Sequence, residues 1–276
     1  MAEPRAFRAA ALECVRVTDG ALPYPAAALL ANAPRDELAR ALAGELDEGG
    51  NVAGLFNPLL IRSADAVVLV DTGIGCFSPG QGAGRLRESL EEESVEPGDI
   101  DLVVLTHAHP DHLGGLIAEG EPVFTRARHV ILAAEWEFWA AARSAGVPEP
   151  IAVGFEEALA PLRSFGLLDL VDDRSEVASG IRLAHAPGHT PGHVVIELGD
   201  PPAAIFLADA VLHEAGFEHP AWTSAIDVDP DLAVSTRRAL LGRAAGERLL
   251  VAAYHLGRHG YVERSGAVFR LIPQGA

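Results

Sequence analysis

Short apolar runs alternate along the chain with stretches whose apolar positions recur every three or four residues. The apolar or alternating runs predict β-strands at 12–17, 55–62, 66–71, 100–106, 130–132, 180–184, 194–198, 204–208, 249–253, 261–263 and 267–271. Helical spacing predicts helices at 35–46, 83–93, 133–145, 155–165 and 230–245, with a short one opening within 113–118. The Pro- and Ala-rich stretch 21–33 is predicted to be a loop.

The order of strands and helices predicts an α/β protein with crossover connections. No shift in composition and no Ser/Gly-rich linker divides the chain, which predicts a single domain over residues 1–276. Its two halves are similar, because each places polar residues after buried strands. The segment 21–46 is a candidate for a cap over a site or for a dimer arm.

Composition narrows the function classes. The 276 residues are 49% apolar, which is enough for a sizeable core. The net charge of −18 argues against nucleic acid as a partner, since phosphate binding needs clustered basic residues. The two cysteines, Cys14 and Cys76, exclude a disulfide framework and a CxxC zinc site. No segment predicts a membrane span or a signal peptide, so a cytoplasmic location is expected.

Four potential metal ligands fall within six residues, directly after the predicted buried strand 100–106. They are His107, His109, Asp111 and His112. A packed core has no use for so many imidazoles and a carboxylate in one turn, whereas a metal site has. His107 and His109 can face one ion, and the two ligands beyond the bend at Pro110 can face another.

Other strand ends supply further candidates for the same site. His189 lies in a second histidine-bearing turn, and Asp209 and His255 follow later predicted strands. A carboxylate such as Asp209 can bridge two cations. Asp71 also ends a buried strand, where a carboxylate is costly unless paired. We interpret it as an anchor for the histidine turn, with an Asx-type turn as the alternative.

These motifs resemble those of the metallo-β-lactamase-fold hydrolases over nearly the whole chain. The turn 107–112 has the pattern H-x-H-x-D-H, and the later landmarks follow in the expected order. Within that superfamily the chain is most similar to the branch of methyl parathion hydrolases and N-acyl-homoserine lactonases. The run Gly188-His189-Thr190-Pro191-Gly192-His193 is one of the superfamily landmarks. The closer match rests on Leu69-Val70-Asp71-Thr72-Gly73, Asp227-Val228-Asp229-Pro230, Ala252-Ala253-Tyr254-His255-Leu256 and Val262-Glu263-Arg264.

The resemblance implies a four-layer αββα sandwich and a binuclear metal centre. It implies that His107, His109 and His189 hold the first ion, that Asp111, His112 and His255 hold the second, and that Asp209 bridges. Two divalent ions are implied, with zinc expected and manganese, cobalt or iron as alternatives. The chain departs from the family before the bridging residue, where Ala208 stands in place of the usual glycine.

The implied chemistry is attack of a bridging hydroxide on an ester-like centre, with Asp111 and Asp209 as the catalytic carboxylates. Asp111 would orient the hydroxide and carry a proton to the leaving group. The expected substrate is a small molecule, either a lactone or a carboxyl ester with an apolar substituent. Phosphotriester hydrolysis is the alternative, and thioesterase or glyoxalase-type hydrolysis is less favoured because no Lys or Arg cluster lies near the motifs.

Loop residues are weaker candidates. Five side chains are predicted to line a substrate pocket, with packing or exposed loop as the alternative: Trp136, His213, Phe217, His219 and Trp222. His129 is expected at the surface, and His193 is expected to be structural. A di-iron oxygen or nitric-oxide reductase is disfavoured, because that version of the fold normally needs a glutamate within the motif and a flavin-binding partner domain. Here Ala108 and Pro110 occupy the variable positions, and no flavodoxin-like segment follows. A homodimer is a family expectation.

Overall fold

The computed structural model describes residues 5–78, 80, 82–145 and 149–274, so both ends of the predicted domain, 1–4 and 275–276, lie outside it. Its strands, in chain order, are β1 (Ala6–Ala9), β2 (Leu12–Arg16), β3 (Gly20–Pro25), β4 (Asn51–Phe56), β5 (Leu59–Arg62), β6 (Val67–Val70), β7 (Leu102–Leu105), β8 (Ile117–Ala118), β9 (Glu121–Pro122), β10 (Arg128–Leu132), β11 (Leu168–Val171), β12 (Glu176–Ala178), β13 (Ile181–His185), β14 (Val194–Leu198), β15 (Ala204–Phe206), β16 (Leu250–Ala252), β17 (Gly260–Ser265) and β18 (Val268–Pro273).

Most of the helices are short. They are α1 (Ala26–Leu29), α2 (Arg35–Ala41), α3 (Leu86–Glu92), α4 (Pro110–Leu113), α5 (Ala133–Ala145), α6 (Glu149–Gly154), α7 (Ala160–Ser164), α8 (Ala215–Glu218) and α9 (Pro230–Glu247), with a π-helical turn at Phe155–Leu159 and 3₁₀ turns at Gly75–Phe77, Pro97–Asp99 and Ala208–Ala210. None of the helices in the described part of the chain has the length and apolarity that a membrane crossing requires.

Two large sheets carry the fold. The first has the strand order β1-β2-β5-β6-β7-β10-β11, and the second has the order β12-β13-β14-β15-β16-β17-β18. Strands β6, β7 and β10 are parallel, as are β15 and β16. Parallel neighbours end at the same edge of a sheet, so residues that follow these strands come together there.

Alternation along the buried strands sorts the core into layers. In β7, Leu102 and Val104 belong to the core between the two sheets, whereas Val103 and Leu105 pack against helices on the outer face. The second sheet has its own outer core, to which α9 contributes Leu241. A strand buried on both faces is apolar throughout, as parallel strands covered by helices are. The predicted four-layer αββα sandwich is confirmed.

The stretch 21–33, predicted to be a loop, forms most of β3 and all of α1 within the segment 20–56. Strand β3 pairs antiparallel with β4, and α1 and α2 lie between them. Pro23 and Pro25 are accommodated because β3 belongs to a two-stranded ribbon, whose outer edge needs no N–H donors. The apolar side chains of this segment pack against Leu212 and Trp222. It therefore covers one side of the region where the strands end.

Two helix predictions are also corrected. The helix predicted at 35–46 ends at Ala41, and Leu42 turns inward to be fully buried. The helix predicted to open within 113–118 is wrong in position: the short helix here is α4, which begins earlier, at Pro110, a residue suited to the first helical position, and 117–118 form β8. Gly114, the residue after α4, packs directly against the backbone of Ile74. A Cβ atom at position 114 would lie 1.8 Å from the carbonyl oxygen of Ile74, so only glycine fits there.

Candidate metal centre

The predicted ligands converge at the edge where the buried strands of both sheets end. The structure forms two adjoining groups of donor atoms, each within 4.8 Å of one another: His107, His109, His189 and Asp209 in one, and Asp111, His112 and His255 in the other. All seven predicted metal ligands are thus brought together. Most are fully buried, and Asp111 is the most exposed, with 13% of its side chain accessible.

Three imidazoles form one face of the first group. Nδ1 of His109 lies 3.0 Å from both Nε2 of His107 and Nε2 of His189. Tetrahedral zinc, with Zn–N bonds of about 2.0–2.1 Å, sets its ligand nitrogens about 3.3 Å apart. Three imidazoles that converge with their nitrogens at this spacing fit one face of such a site.

Asp209 lies between the two groups. Its Oδ2 is 3.3 Å from Nε2 of His189 and 3.3 Å from Nε2 of His255, while its Oδ1 is 3.2 Å from Nε2 of His112. The carboxylate therefore reaches donors of both groups. This position fits the bridging role that the sequence predicts for Asp209.

A further observation fits a cation at the second group. Nδ1 of His112 is 2.8 Å from Oδ2 of Asp71 and donates to it, which leaves Nε2 as the lone-pair nitrogen. That Nε2 and Oδ1 of Asp209 are buried, face each other and lack a hydrogen bond of good geometry among the described residues. A neutral His112 ring would oppose two acceptors there, which is costly to bury unless a proton or a metal cation lies between them.

Hydrogen bonds behind the ligands fix their ring orientations. Nδ1 of His189 donates to Asp227 at 2.8 Å, and Nδ1 of His255 donates to the carbonyl of Leu55 at 2.7 Å. Both contacts leave Nε2 free to face the centre, as metal-binding imidazoles require. Asp71 also accepts from the backbone N–H and the hydroxyl of Thr106, at 2.8 Å each. It therefore occupies the anchoring position predicted for it.

Glu135, on α5, joins the two histidine-bearing turns. Its Oε1 accepts from the N–H of Ala108 at 2.9 Å and from the indole of Trp139 at 2.7 Å. Its Oε2 accepts from the hydroxyl of Thr190 at 2.7 Å and from the N–H of Gly192 at 2.9 Å. Burial raises the pKa of Glu135, although these donors oppose the rise. Neither Glu135 nor Asp227 was predicted from the sequence as a residue of the site.

His193 completes the support of the bridging residue. Its Nδ1 donates to the carbonyl of Ala186, and its Nε2 accepts from the backbone N–H of Asp209 at 3.1 Å. Burial, followed by the charge of His189, lowers the pKa of His193 to about 3. The ring is therefore neutral and structural, and it is not one of the converging donors.

The electrostatics divide the histidines of the cluster around an ionised carboxylate. Burial acts to lower the pKa of His112, His189 and His255, but the charge of Asp209 and of neighbouring carboxylates outweighs it and raises all three. Burial, with the neighbouring histidines, holds the pKa of His107 and His109 well below their usual range. Burial acts to raise the pKa of Asp209, but His112, His255 and His107 outweigh it and hold that pKa well below its ordinary value. Neutral imidazole and ionised carboxylate are the forms that bind metal.

The departure at Ala208 is accommodated with a left-handed backbone. Its φ is 45°, in the region that glycine adopts more easily, and its methyl group is fully buried in the core between the sheets. The family glycine is therefore explained by backbone conformation, and alanine here bears a strain of about 1–2 kcal/mol.

Two cavities adjoin the donors. The inner cavity, of about 60 Å³, is lined mostly by apolar surface and reaches the predicted ligands Asp111, Asp209 and His255. Its other lining residues are Tyr24, Ala28, Leu29, Ala53, Gly54, Leu212, Ser224 and Ile226. The outer groove, of about 430 Å³, is lined by Tyr24, Ile74, Phe77, His109, Pro110, Asp111, Val153 and Ile226. The predicted metal ligands therefore form part of the walls of an apolar site.

The five predicted pocket residues lie elsewhere, and none is among the described residues that line these two cavities. Trp136 packs on Phe155, with ring centroids 5.0 Å apart. His213 pairs with Glu45 at 3.1 Å, and His219 stacks on Trp222 with centroids 3.8 Å apart. Phe217 is buried in the outer core of the second sheet. They were inferred from the resemblance and from proximity to the motifs, whereas much of the inner cavity's wall comes from β3, α1 and β4.

Tyr254 and two other histidines can also be placed. The hydroxyl of Tyr254 donates to the backbone carbonyl of Asp111 at 2.5 Å, and its ring lies 4.0 Å from that of His112. Tyr254 therefore has a packing role. His185 is exposed and contacts the carbonyl of Pro191. The prediction that His129 lies at the surface is wrong, because it is fully buried in β10.

Comparison with known proteins places these features in context. The family description "Metallo-beta-lactamase superfamily" matches residues 56–255. An N-acyl homoserine lactonase of Bacillus sp is 26% identical over 216 residues, which cover 71% of this chain and 79% of the relative.

Two solved structures are similar along their whole length. The dizinc quorum-quenching lactonase AidC, in complex with an N-acyl-homoserine product, superposes with a TM-score of 0.89 at 26% identity, covering 99% of this chain and 98% of that one. The hydrolase AbOPH superposes with a TM-score of 0.89 at 22% identity, covering 100% and 99%. The second likeness shows the fold alone.

Proposed function

The chain belongs to the metallo-β-lactamase superfamily, and from this membership we propose that it is a binuclear hydrolase that opens lactones or cleaves carboxyl esters with an apolar substituent. The observation that carries the proposal is the pair of adjoining donor groups, with Asp209 between them, in the wall of an apolar cavity. The lactonase relatives support a lactone as the substrate class.

The donor set supports two zinc ions, because imidazole and carboxylate are ordinary zinc ligands. His107, His109 and His189 would hold one ion, Asp111, His112 and His255 the other, and Asp209 both. When bound, such a pair of divalent ions lowers the pKa of a bound water to about 7 and polarises the oxygen of the scissile group. Manganese, cobalt and iron are the alternatives.

Asp111 is the residue we assign to proton transfer. It is the most exposed of the seven donors, and it lines both the inner cavity and the outer groove. The hydrogen bond from Tyr254 to its backbone carbonyl fixes its position. A carboxylate so placed can take a proton from the attacking water and pass it to the leaving alkoxide.

The cavity walls bear on the substrate. Neither cavity is lined by an Arg or Lys among the described residues, so no cation there would pair with the carboxylate of a β-lactam or of glutathione. A neutral lactone or ester with an apolar group fits such walls better. A neutral phosphotriester is the competing substrate class. A homodimer through residues 21–46 and a cytoplasmic location stay predictions of the sequence.

The test is a substrate panel on the purified protein, loaded with zinc, manganese or cobalt. Acyl-homoserine lactones, γ-lactones, aryl esters and phosphotriesters would be compared by kcat/KM. We expect the highest kcat/KM with a lactone or carboxyl ester, two metal ions per chain by elemental analysis, and loss of turnover after chelation.

Two variants sharpen that test. His107→Ala removes a predicted ligand and is expected to lower turnover by at least about 10²-fold, since removal of a group required in the transition state commonly costs that much. His213→Ala, outside both cavities, serves as the matched control and should keep wild-type turnover. Phosphotriesters as the best substrates would overturn the substrate class, and full activity of a metal-free protein would overturn the metal centre.

A further inference from the structure

Tyr24 lies on β3, in the segment that covers the metal centre. Its ring packs edge-on against Phe56, with centroids 6.3 Å apart. It also lies over Gly54 of the paired strand, where an added Cβ atom would come 2.4 Å from Tyr24 Cδ2. Glycine at position 54 leaves the space that the aromatic ring occupies. The ring is therefore held in one place by its neighbours.

The position of Tyr24 relative to the two cavities is unusual. Only Tyr24, Asp111 and Ile226 are common to the described linings of the inner cavity and the outer groove. Asp111 is a predicted ligand and Ile226 is apolar, so Tyr24 brings the one hydroxyl to the junction of the two spaces. A substrate that extends from one space into the other must pass it.

The Tyr24 hydroxyl has no hydrogen-bond partner among the described residues, whereas that of Tyr254 is occupied by the carbonyl of Asp111. An ordinary phenol has a pKa of about 10, so the Tyr24 hydroxyl is protonated at neutral pH. It is a hydrogen-bond donor on a residue that lines both cavities, so an oxygen acceptor of a bound ligand can pair with it.

We propose that Tyr24 is a substrate-binding residue whose hydroxyl donates a hydrogen bond to an oxygen of the lactone or ester at the junction of the two cavities. This assignment rests on the proposed function, because it takes the same site and the same substrate class. It adds a residue from the covering segment 20–56 to a site otherwise built from strand ends.

The first test compares Tyr24→Phe with the wild type, using N-hexanoyl-homoserine lactone as substrate and its ring-opened product as ligand. The variant keeps the ring and removes only the hydroxyl. We expect kcat/KM and the calorimetric affinity for the product each to fall roughly tenfold, the value of one ordinary hydrogen bond. Metal content and Tm should be unchanged. Tyr261→Phe, on exposed β17, is the matched control.

The second test uses Gly54→Ala, whose methyl group displaces the Tyr24 ring without altering a ligand or a hydroxyl. We expect it to lower kcat/KM in the wild-type background. In a Tyr24→Ala background the methyl group has no ring to displace, so the further loss should be close to none. Such non-additivity is the signature of two residues acting through one contact.

The outcomes separate the two proposals. A wild-type protein that hydrolyses no lactone or ester overturns the proposed function, and the role of Tyr24 with it. An active wild type whose Tyr24→Phe variant keeps both kcat/KM and product affinity overturns the role of Tyr24 alone. Equal effects of Gly54→Ala in both backgrounds would also overturn it, because the methyl group would then act elsewhere.

Discussion

Asp71 holds His112 in the orientation that metal binding needs. It lies directly after β6 with a φ of 62°, a left-handed conformation that Asp and Asn tolerate better than most residues. Its three donors come from Thr106 and His112. The carboxylate is fully buried, and these three hydrogen bonds offset the free-energy cost of removing it from water.

We predict that Asp71→Asn weakens binding of one metal ion by roughly 10–100-fold, the usual effect of losing a partner behind a ligand. Asparagine suits the backbone, but its amide nitrogen cannot accept from the donors that now converge on the carboxylate. The measurement is a titration with a competing chelator that resolves two ions. Asp65→Asn, at an exposed turn, is the control. Equal affinities for both ions in Asp71→Asn and wild type would contradict the role of Asp71.

At this scale the motif predicted much of the site. The ligands between His107 and His112 could be predicted because four of them fall within six residues, and the later ligands each follow a predicted strand. Glu135 carried no such signal, because its partners lie at 108, 139, 190 and 192, and only the fold brings them together. Asp227 stood in a quoted motif, yet its contact with His189 spans 38 residues. Buried polar partners of this kind follow from tertiary contacts.

Helix α5 is the element that couples the two histidine-bearing turns. Glu135 lies in its first turn and holds the backbone between His107 and His109 on one side. On the other side it holds the backbone at Gly192, close to His189. Gly192 is required here, since a Cβ atom would lie 2.1 Å from the backbone nitrogen of Glu135. The helix thus sets the distance between two ligand-bearing turns.

We predict that Glu135→Gln lowers the free energy of unfolding by about 2–3 kcal/mol and also weakens metal binding. The amide nitrogen would face at least one N–H that now donates to the carboxylate, and hydrogen bonds to charged groups are worth about 1.5–3 kcal/mol each. Denaturant unfolding and metal titration would measure the two effects. Glu137→Gln, exposed on the same helix, is the matched control. Stability equal to that of the control would refute the coupling.

Long periodic elements were predicted better than short or irregular ones. Helix α5 was predicted with its observed bounds, and α9 begins at Pro230 with Asp229 accepting from the N–H of Leu232, as expected of its cap. The ribbon of β3 and β4 was missed because prolines interrupt its pattern. That ribbon supplies Tyr24, Ala53 and Gly54 to the inner cavity, which is why the pocket prediction failed.

The whole molecule is two sheets packed face to face, with helices outside. Buried strands β6 and β7 deliver Asp71 and His107, and parallel β15 and β16 deliver Asp209 and His255, all to one edge. The sandwich is therefore a rigid support for the centre, and the covering segment adds the walls. Apolar pattern and strand order predicted the support, whereas side-chain packing between distant segments determines the walls.

His129 is a buried group outside the site that bears on the stability of the whole fold. Its two ring nitrogens lack hydrogen-bond partners of good geometry among the described residues. Burial lowers the pKa of His129 to about 4, against weaker opposing contributions from the backbone of Leu167 and Ala127. The unfolded chain binds a proton at about pH 6.5 and the folded one only near pH 4, so folding is opposed by protonation between these values.

We therefore predict that His129→Leu makes the protein less sensitive to acid. Stability from the neutral ring is fully present above about pH 6.5 and is lost as the pH falls toward 4. A pKa lowered from 6.5 to about 4 corresponds to a loss of about 3 kcal/mol. The measurement is denaturant unfolding of wild type and variant from pH 7 to 4. The difference between their free energies of unfolding removes the contributions of the titrating groups that the two proteins share. Parallel curves for the two proteins would contradict the assignment, because the histidine would then have the same pKa in both states.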